Sequence, residues 1–150
     1  MPNLSDYKVF PRHVGRWEGV VRILNAELQE SKRYKIRQQF EVKDNQWVIT
    51  NTYIFDDETS MTQSFDVIPI EAGKVTVSTT VPYLESRSME AIECGADVIN
   101  FRIINNETGN IQELETVTLL GNDSRLRTAQ LFGQDSTFKG LLVVSEQRQE

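Results

Sequence analysis

Apolar and polar side chains alternate along nearly the whole chain, and stretches of strand length are divided by polar clusters. The clearest alternations run over 16–24, 33–42, 47–55, 61–70, 74–81, 98–105, 111–120, 126–132 and 138–147, and 86–92 is a further candidate. A period of two puts successive side chains on opposite faces, so each stretch predicts a short, half-buried strand. The dividers, "NAELQE", "KDNQ", "DDETS", "EAGK", "NNETGN", "GNDS" and "GQDST", are rich in the Asn, Asp, Gly and Ser that turns need. Helical periodicity is confined to 5–13, where Ser5 is placed to cap a short turn and Pro11 to stop or kink it.

Short connections favour antiparallel neighbours, because parallel ones need crossovers of a dozen residues or more. About nine strands in one small domain must close or form a sandwich. Only 82–97 offers a generous connection, so the pattern predicts an all-β, closed, antiparallel up-and-down barrel of eight to ten strands with a short N-terminal helical turn. Residues 1–150 read as one domain. The segment 82–97 mixes Pro82, Tyr83, Leu84, Met89 and Ile92 with charges, and reads either as a lid over the barrel mouth or as a strand.

Alternation also assigns the faces. Trp17, Gly19, Val21 and Ile23 share one side of the first strand and are expected in the lumen. The next rows are Tyr34, Ile36, Gln38, Phe40 and Val42, then Trp47, Ile49, Asn51, Tyr53 and Phe55, then Met61, Gln63, Phe65 and Val67. Each of these three rows carries one amide near its middle. A buried amide without a partner costs about 1–3 kcal/mol, so Gln38, Asn51 and Gln63 either bond one another and their surroundings or line a partly polar ligand cavity. At the far end, closure would bring the last strand beside the first. Arg148, paired with Glu146, or Arg127 from the preceding strand could then lie over Trp17; the alternative is that both arginines are solvated.

Charge narrows the partners. With 16 Lys and Arg against 22 Asp and Glu, the net charge of −6 gives no electrostatic reason to seek nucleic acid. No apolar run reaches the length of a membrane span or signal peptide, and one cysteine, Cys94, fits a reducing compartment; the expectation is a cytoplasmic protein that inserts into no membrane. One His and one Cys make no zinc site, and the carboxylates are expected on turns and outer faces, so no metal, cofactor or catalytic residue is predicted. His13 is read as a surface or barrel-floor residue, and Cys94, with acidic neighbours, as a small partly buried side chain.

The segment "GRWEG" on a first strand, a helical turn before it and "SEQR" at the C-terminal edge resemble the lipocalin and fatty-acid-binding barrels, the calycins. More narrowly, "FPRHVGRWEGVVRIL", "QESKRYKIRQQFEV" and "SRLRTAQLF…FKGLLVVSEQR" look like a lipocalin-like family of unknown function found mainly in cyanobacteria and plastids, with a more distant resemblance to the S-type phycobilin lyases. That resemblance implies a barrel that binds or carries a small hydrophobic or amphipathic molecule, such as a tetrapyrrole or lipid, with Trp17 and Arg148 at its floor. Gln38, Asn51, Gln63, Tyr34, Tyr53, Phe65 and Arg127 are the candidate ligand contacts. A chromophore-lyase-like enzyme is the first alternative; a packed barrel acting on another protein through its outer surface is the second.

Overall fold

The structure is a computed structural model and describes residues 2–150. Ten strands form one closed antiparallel barrel: β1 (Gly15–Asn25), β2 (Glu30–Lys43), β3 (Gln46–Ile54), β4 (Ser60–Glu71), β5 (Lys74–Thr79), β6 (Arg87–Cys94), β7 (Val98–Asn105), β8 (Ile111–Leu119), β9 (Ser124–Phe132) and β10 (Phe138–Gln149). Every strand pairs with its sequence neighbours, and β10 returns to β1, with Trp17 opposite Arg148 and Val21 opposite Val144. Closure leaves no strand edge unpaired. Among the described residues no helix is long and apolar enough to cross a membrane.

Two details need correction, the capping of the N-terminal turn and the reach of one inward row, and the choice left open for 82–97 falls to the strand. The helical candidate over 5–13 is two short 3-10 turns, Leu4–Asp6 and Phe10–His13; Asn3, not Ser5, stands at the first N-cap, and Pro11 sits inside the second turn. The break has a physical cause. The Glu93 carboxylate accepts the backbone N–H groups of Lys8 (3.0 Å), Val9 and Phe10 (2.8 Å), which takes from a helix the donors it would use. The segment 82–97 is mostly wall: Pro82–Leu84 is a 3-10 turn and Arg87–Cys94 is β6, which buries Met89 and Ala91. Of that segment, the part before β6 is left at the barrel mouth, where Tyr83 and Leu84 border the cavity. Val42 keeps the inward phase of its row but is 54% exposed, because it lies past the barrel's lower end.

The apolar core divides in two. A lower cluster joins Trp17, Phe40, Trp47 and Val67 to Tyr7, Val9 and Phe10 of the N-terminal segment, which thereby plugs the base. Trp47 stacks on Phe10 at 5.4 Å and meets the Tyr7 ring edge-on at 5.2 Å, and the Tyr7 hydroxyl reaches the carbonyls of Glu71 and Lys74. A smaller upper cluster holds Val21, Ile36 and Val144, flanked by Tyr34 and Tyr53. Between them the lumen is not filled.

Candidate functional site

The floor is built around Trp17, which is fully buried and donates its indole N–H to the carbonyl of His13 (2.9 Å). Two guanidinium groups lie over its ring, Arg125 at 4.3 Å and Arg148 at 4.5 Å from the centroid. Thus Arg148 does stack on Trp17, while its companion is Arg125 and not Arg127. The flanking glycines explain the spacing. A Cβ on Gly15 would stand 2.5 Å from an Arg148 guanidinium nitrogen, and one on Gly19 would meet the Ser145 carbonyl at 2.1 Å and Glu146 Cγ at 2.7 Å. Arg148 also ties the floor together, donating to the carbonyls of Arg12 (2.7 Å), Val14 (2.7 Å) and Asn122 (2.8 Å).

Above the floor the strand register sets Trp17, Gln38, Asn51 and Gln63 opposite one another across β1 to β4. Gln38 and Asn51 bond each other (2.8 Å); Gln63 reaches instead for the Tyr83 hydroxyl (3.4 Å). The direction of these bonds is forced. Arg125 only donates, so it takes Gln38 by its carbonyl oxygen. Gln38 then donates its N–H to Asn51, and Asn51 donates to the Tyr53 oxygen (3.3 Å), which leaves the Tyr53 proton free to be given. Burial pushes the Tyr53 hydroxyl up to about 12 and raises Tyr34 as well, so both stay protonated donors at neutral pH.

The opposite wall is charged, contrary to the expectation that the carboxylates sit on turns and outer faces. Glu146, fully buried, bridges Arg125 (2.8 Å) and Arg127 (2.9 Å), and Arg127 also faces Glu115 at 3.7 Å. Burial opposes ionisation of Glu146, but the two guanidiniums outweigh it and hold its carboxyl below the usual range. Glu113 and Glu115, two residues apart on β8, both line the lumen. Each is partly buried and borders the cavity. Burial, reinforced by the neighbouring Glu115, pushes Glu113 up to about 8; burial raises Glu115 too, and Arg127 pulls it back. Glu113 therefore favours its protonated form at neutral pH.

These two walls enclose a cavity of about 380 Å³, a size suited to a small organic molecule. All seven predicted contacts, Tyr34, Gln38, Asn51, Tyr53, Gln63, Phe65 and Arg127, lie on its wall. Trp17 and Arg148 lie beneath it. Sequence reasoning missed His13, Glu113, Glu115 and Arg125 as wall residues. The signal for two of them is in "ELETVTL": Glu113 and Glu115 share the phase of Val117 and Leu119, both buried. His13 gave none, because it precedes the alternation that starts at Gly15.

The family described as "Domain of unknown function (DUF3598), N-terminal" matches residues 4–150. No curated protein matches the chain. Among solved structures, a protein of unknown function from the DUF3598 family of Nostoc punctiforme superposes with a TM-score of 0.69 at 14% identity, over 93% of this chain and 49% of its own. The chain thus spans about half the length of that relative. The S-type phycobiliprotein lyase CPES from Guillardia theta superposes with a TM-score of 0.68 at 10% identity, over 94% and 90% of the two chains. EF1p2_mFAP2b bound to DFHBI superposes with a TM-score of 0.52 at 13% identity, over 95% and 98%. At these identities the structural matches speak for the fold alone. The family match, covering all but the first three residues, carries more: the chain belongs to the DUF3598 N-terminal domain family.

Proposed function

We propose that the barrel binds a small amphipathic molecule in its lumen, apolar along most of its length and carrying oxygen acceptors such as carbonyl, carboxylate or lactam groups. One observation carries this reading: a cavity of about 380 Å³ combines an aromatic and aliphatic lining with fixed hydrogen-bond donors. The donor relay from Arg125 through Gln38 and Asn51 to Tyr53 presents a proton to the ligand. A buried donor of this kind rewards an acceptor and penalises an apolar group. A linear tetrapyrrole or an oxidised lipid has that chemistry; the phycobiliprotein lyase and the DFHBI complex lend the same barrel shape to small-molecule binding. Phe65, Tyr34 and Gln63 then serve as wall, and Arg127 as the nearest cation. We place the protein in the cytoplasm on its acid excess and single cysteine.

A second reading, in which the barrel acts on its ligand as a chromophore lyase would, is favoured by Glu113, which holds a proton beside the lumen at neutral pH and is a candidate general acid. Titrating biliverdin and oleate into the wild type and Tyr53→Phe, with intrinsic fluorescence as readout, tests the binding reading. Micromolar binding weakened about tenfold by Tyr53→Phe is expected, the scale of one buried hydrogen bond. No binding below millimolar would move the function to the outer surface and a protein partner.

A further inference from the structure

His13 stands apart from every other polar group of the lumen. It is 1% exposed, forms part of the cavity wall, and its Nε2 is the one buried side-chain nitrogen or oxygen without a hydrogen-bond partner among the described residues. The other ring nitrogen is spoken for. Arg125 approaches Nδ1 at 3.0 Å, and because a guanidinium only donates, Nδ1 must be the acceptor. The imidazole is therefore neutral, with its proton on Nε2. Glu146 reinforces the arrangement by fixing the same guanidinium at 2.8 Å and keeping it charged.

Packing holds the ring in place. Its centroid lies 5.9 Å from that of Phe40 and 6.3 Å from that of Trp17, and its backbone carbonyl is tied to the Trp17 indole. A rotation that hid Nε2 would break the Arg125 bond. A buried N–H left without an acceptor is costly, and such groups are rare enough in folded proteins that each calls for a specific reason. Charging the ring is no escape, since burial and four neighbouring arginines, Arg125 foremost, depress its protonation to about 2.

We propose that His13 is the deep anchoring residue of the lumen: its Nε2–H donates to an oxygen or nitrogen acceptor at the leading end of the bound molecule. This rests on the reading of the lumen as a binding site and specifies which end of the ligand goes in first. On the strand register Tyr53 stands two inward positions above the Phe40 level that His13 contacts, and its hydroxyl lies beside the Asn51 amide, so the two donors serve different depths of the lumen. The preferred ligand then carries two acceptors, one at its buried tip and one nearer its middle.

The test exploits the presence of a single histidine in the chain. Proton–nitrogen correlation spectra of the uniformly 15N-labelled wild type are recorded free, with 2-acetylnaphthalene, and with 2-ethylnaphthalene, which differ by one carbonyl. The expected result is an Nε2–H tautomer at pH 7, whose ring proton moves downfield with the acetyl probe and not with the ethyl probe. Binding of the acetyl probe should exceed that of the ethyl probe about tenfold in the wild type, and the ratio should fall to about one in His13→Phe, which keeps the ring and loses the donor. An Nδ1–H tautomer overturns the assignment. So does an acetyl probe that leaves the ring proton in place, whether it binds elsewhere or not at all. Oleate in a parallel sample separates the two levels: if it enters the lumen, the binding reading stands without His13, and if it does not, both fall.

Discussion

Replacing Glu146 with Gln keeps the size and an acceptor oxygen but removes the one negative charge between Arg125 and Arg127. The size of the loss follows from three terms. Unit charges about 4 Å apart in a medium of effective dielectric near 20 attract by about 4 kcal/mol, and Glu146 makes two such contacts at shorter range. Against this stands the desolvation of a fully buried carboxylate, several kcal/mol, which the substitution relieves. What remains is the usual outcome of breaking a buried ion pair, about 3–5 kcal/mol, because Arg125 is left with no anion and Arg127 keeps only Glu115 at 3.7 Å. With a urea slope of about 2 kcal/mol per M, the unfolding midpoint should fall by roughly 1.5–2.5 M at pH 7. The pH dependence has a definite sign. The folded pKa of Glu146 lies below its unfolded value, so its stabilisation is full above about pH 4.5 and disappears as pH falls through the folded value. The difference between variant and wild type should therefore narrow in acid. The pair Glu146→Leu with Arg125→Met should recover part of the loss, since Arg127 and Glu115 remain a matched pair. A midpoint shift under about 0.5 M for Glu146→Gln, or a double substitution as costly as the sum of the two singles, would refute the account of the charged wall.

Glu113→Gln should act in the opposite direction: the folded pKa, about 8, is above the unfolded value, so wild-type stability drains away as pH rises between them, and the variant should gain on the wild type over pH 5 to 8 in thermal melts while matching it below pH 4. Trp17→Ala should cost about 3–5 kcal/mol in chemical denaturation, since it removes a fully buried indole and leaves two guanidiniums without the ring they cover. Gly19→Ala should lower the thermal midpoint by several degrees, because its Cβ would stand 2.1 Å from a backbone carbonyl that the β1–β10 pairing holds in place; an unchanged midpoint would show that β10 yields there. The short connection over 80–86 should exchange its amide hydrogens faster than β3, as only Leu84 of that turn is buried and Tyr83 is 67% exposed.

The barrel was legible because closure and alternation are both written at a period of two. Trp17, Gly19 and Val21 declare one face, and no bulge interrupts the pairing of β2, β3 and β4, so the rows from Tyr34, Trp47 and Met61 land where the alternation puts them. The amide rung was legible for the same reason. What escaped was the charged wall. Alternation ranks faces by hydrophobicity, and Glu113, Glu115, Arg125 and Glu146 are ionisable residues on the inner face, three of them paired with groups on neighbouring strands and Glu113 favouring its protonated form. Which side chain pairs with which across neighbouring strands is not written in the local pattern. His13 escaped for a related reason: its role depends on Arg125, which is 112 residues away in sequence.

The central claim is that the ligand sits inside the barrel, and methyl NMR on isoleucine-labelled protein tests it most directly. Ile36, Ile49, Ile99 and Ile103 line the cavity, whereas Ile70 and Ile92 are exposed on the outside. Adding oleate or biliverdin should shift the four inner methyl resonances in a saturable way and leave the two outer ones in place. Shifts confined to Ile70 and Ile92, or no saturable shift at any of the six, would contradict a lumenal binding site.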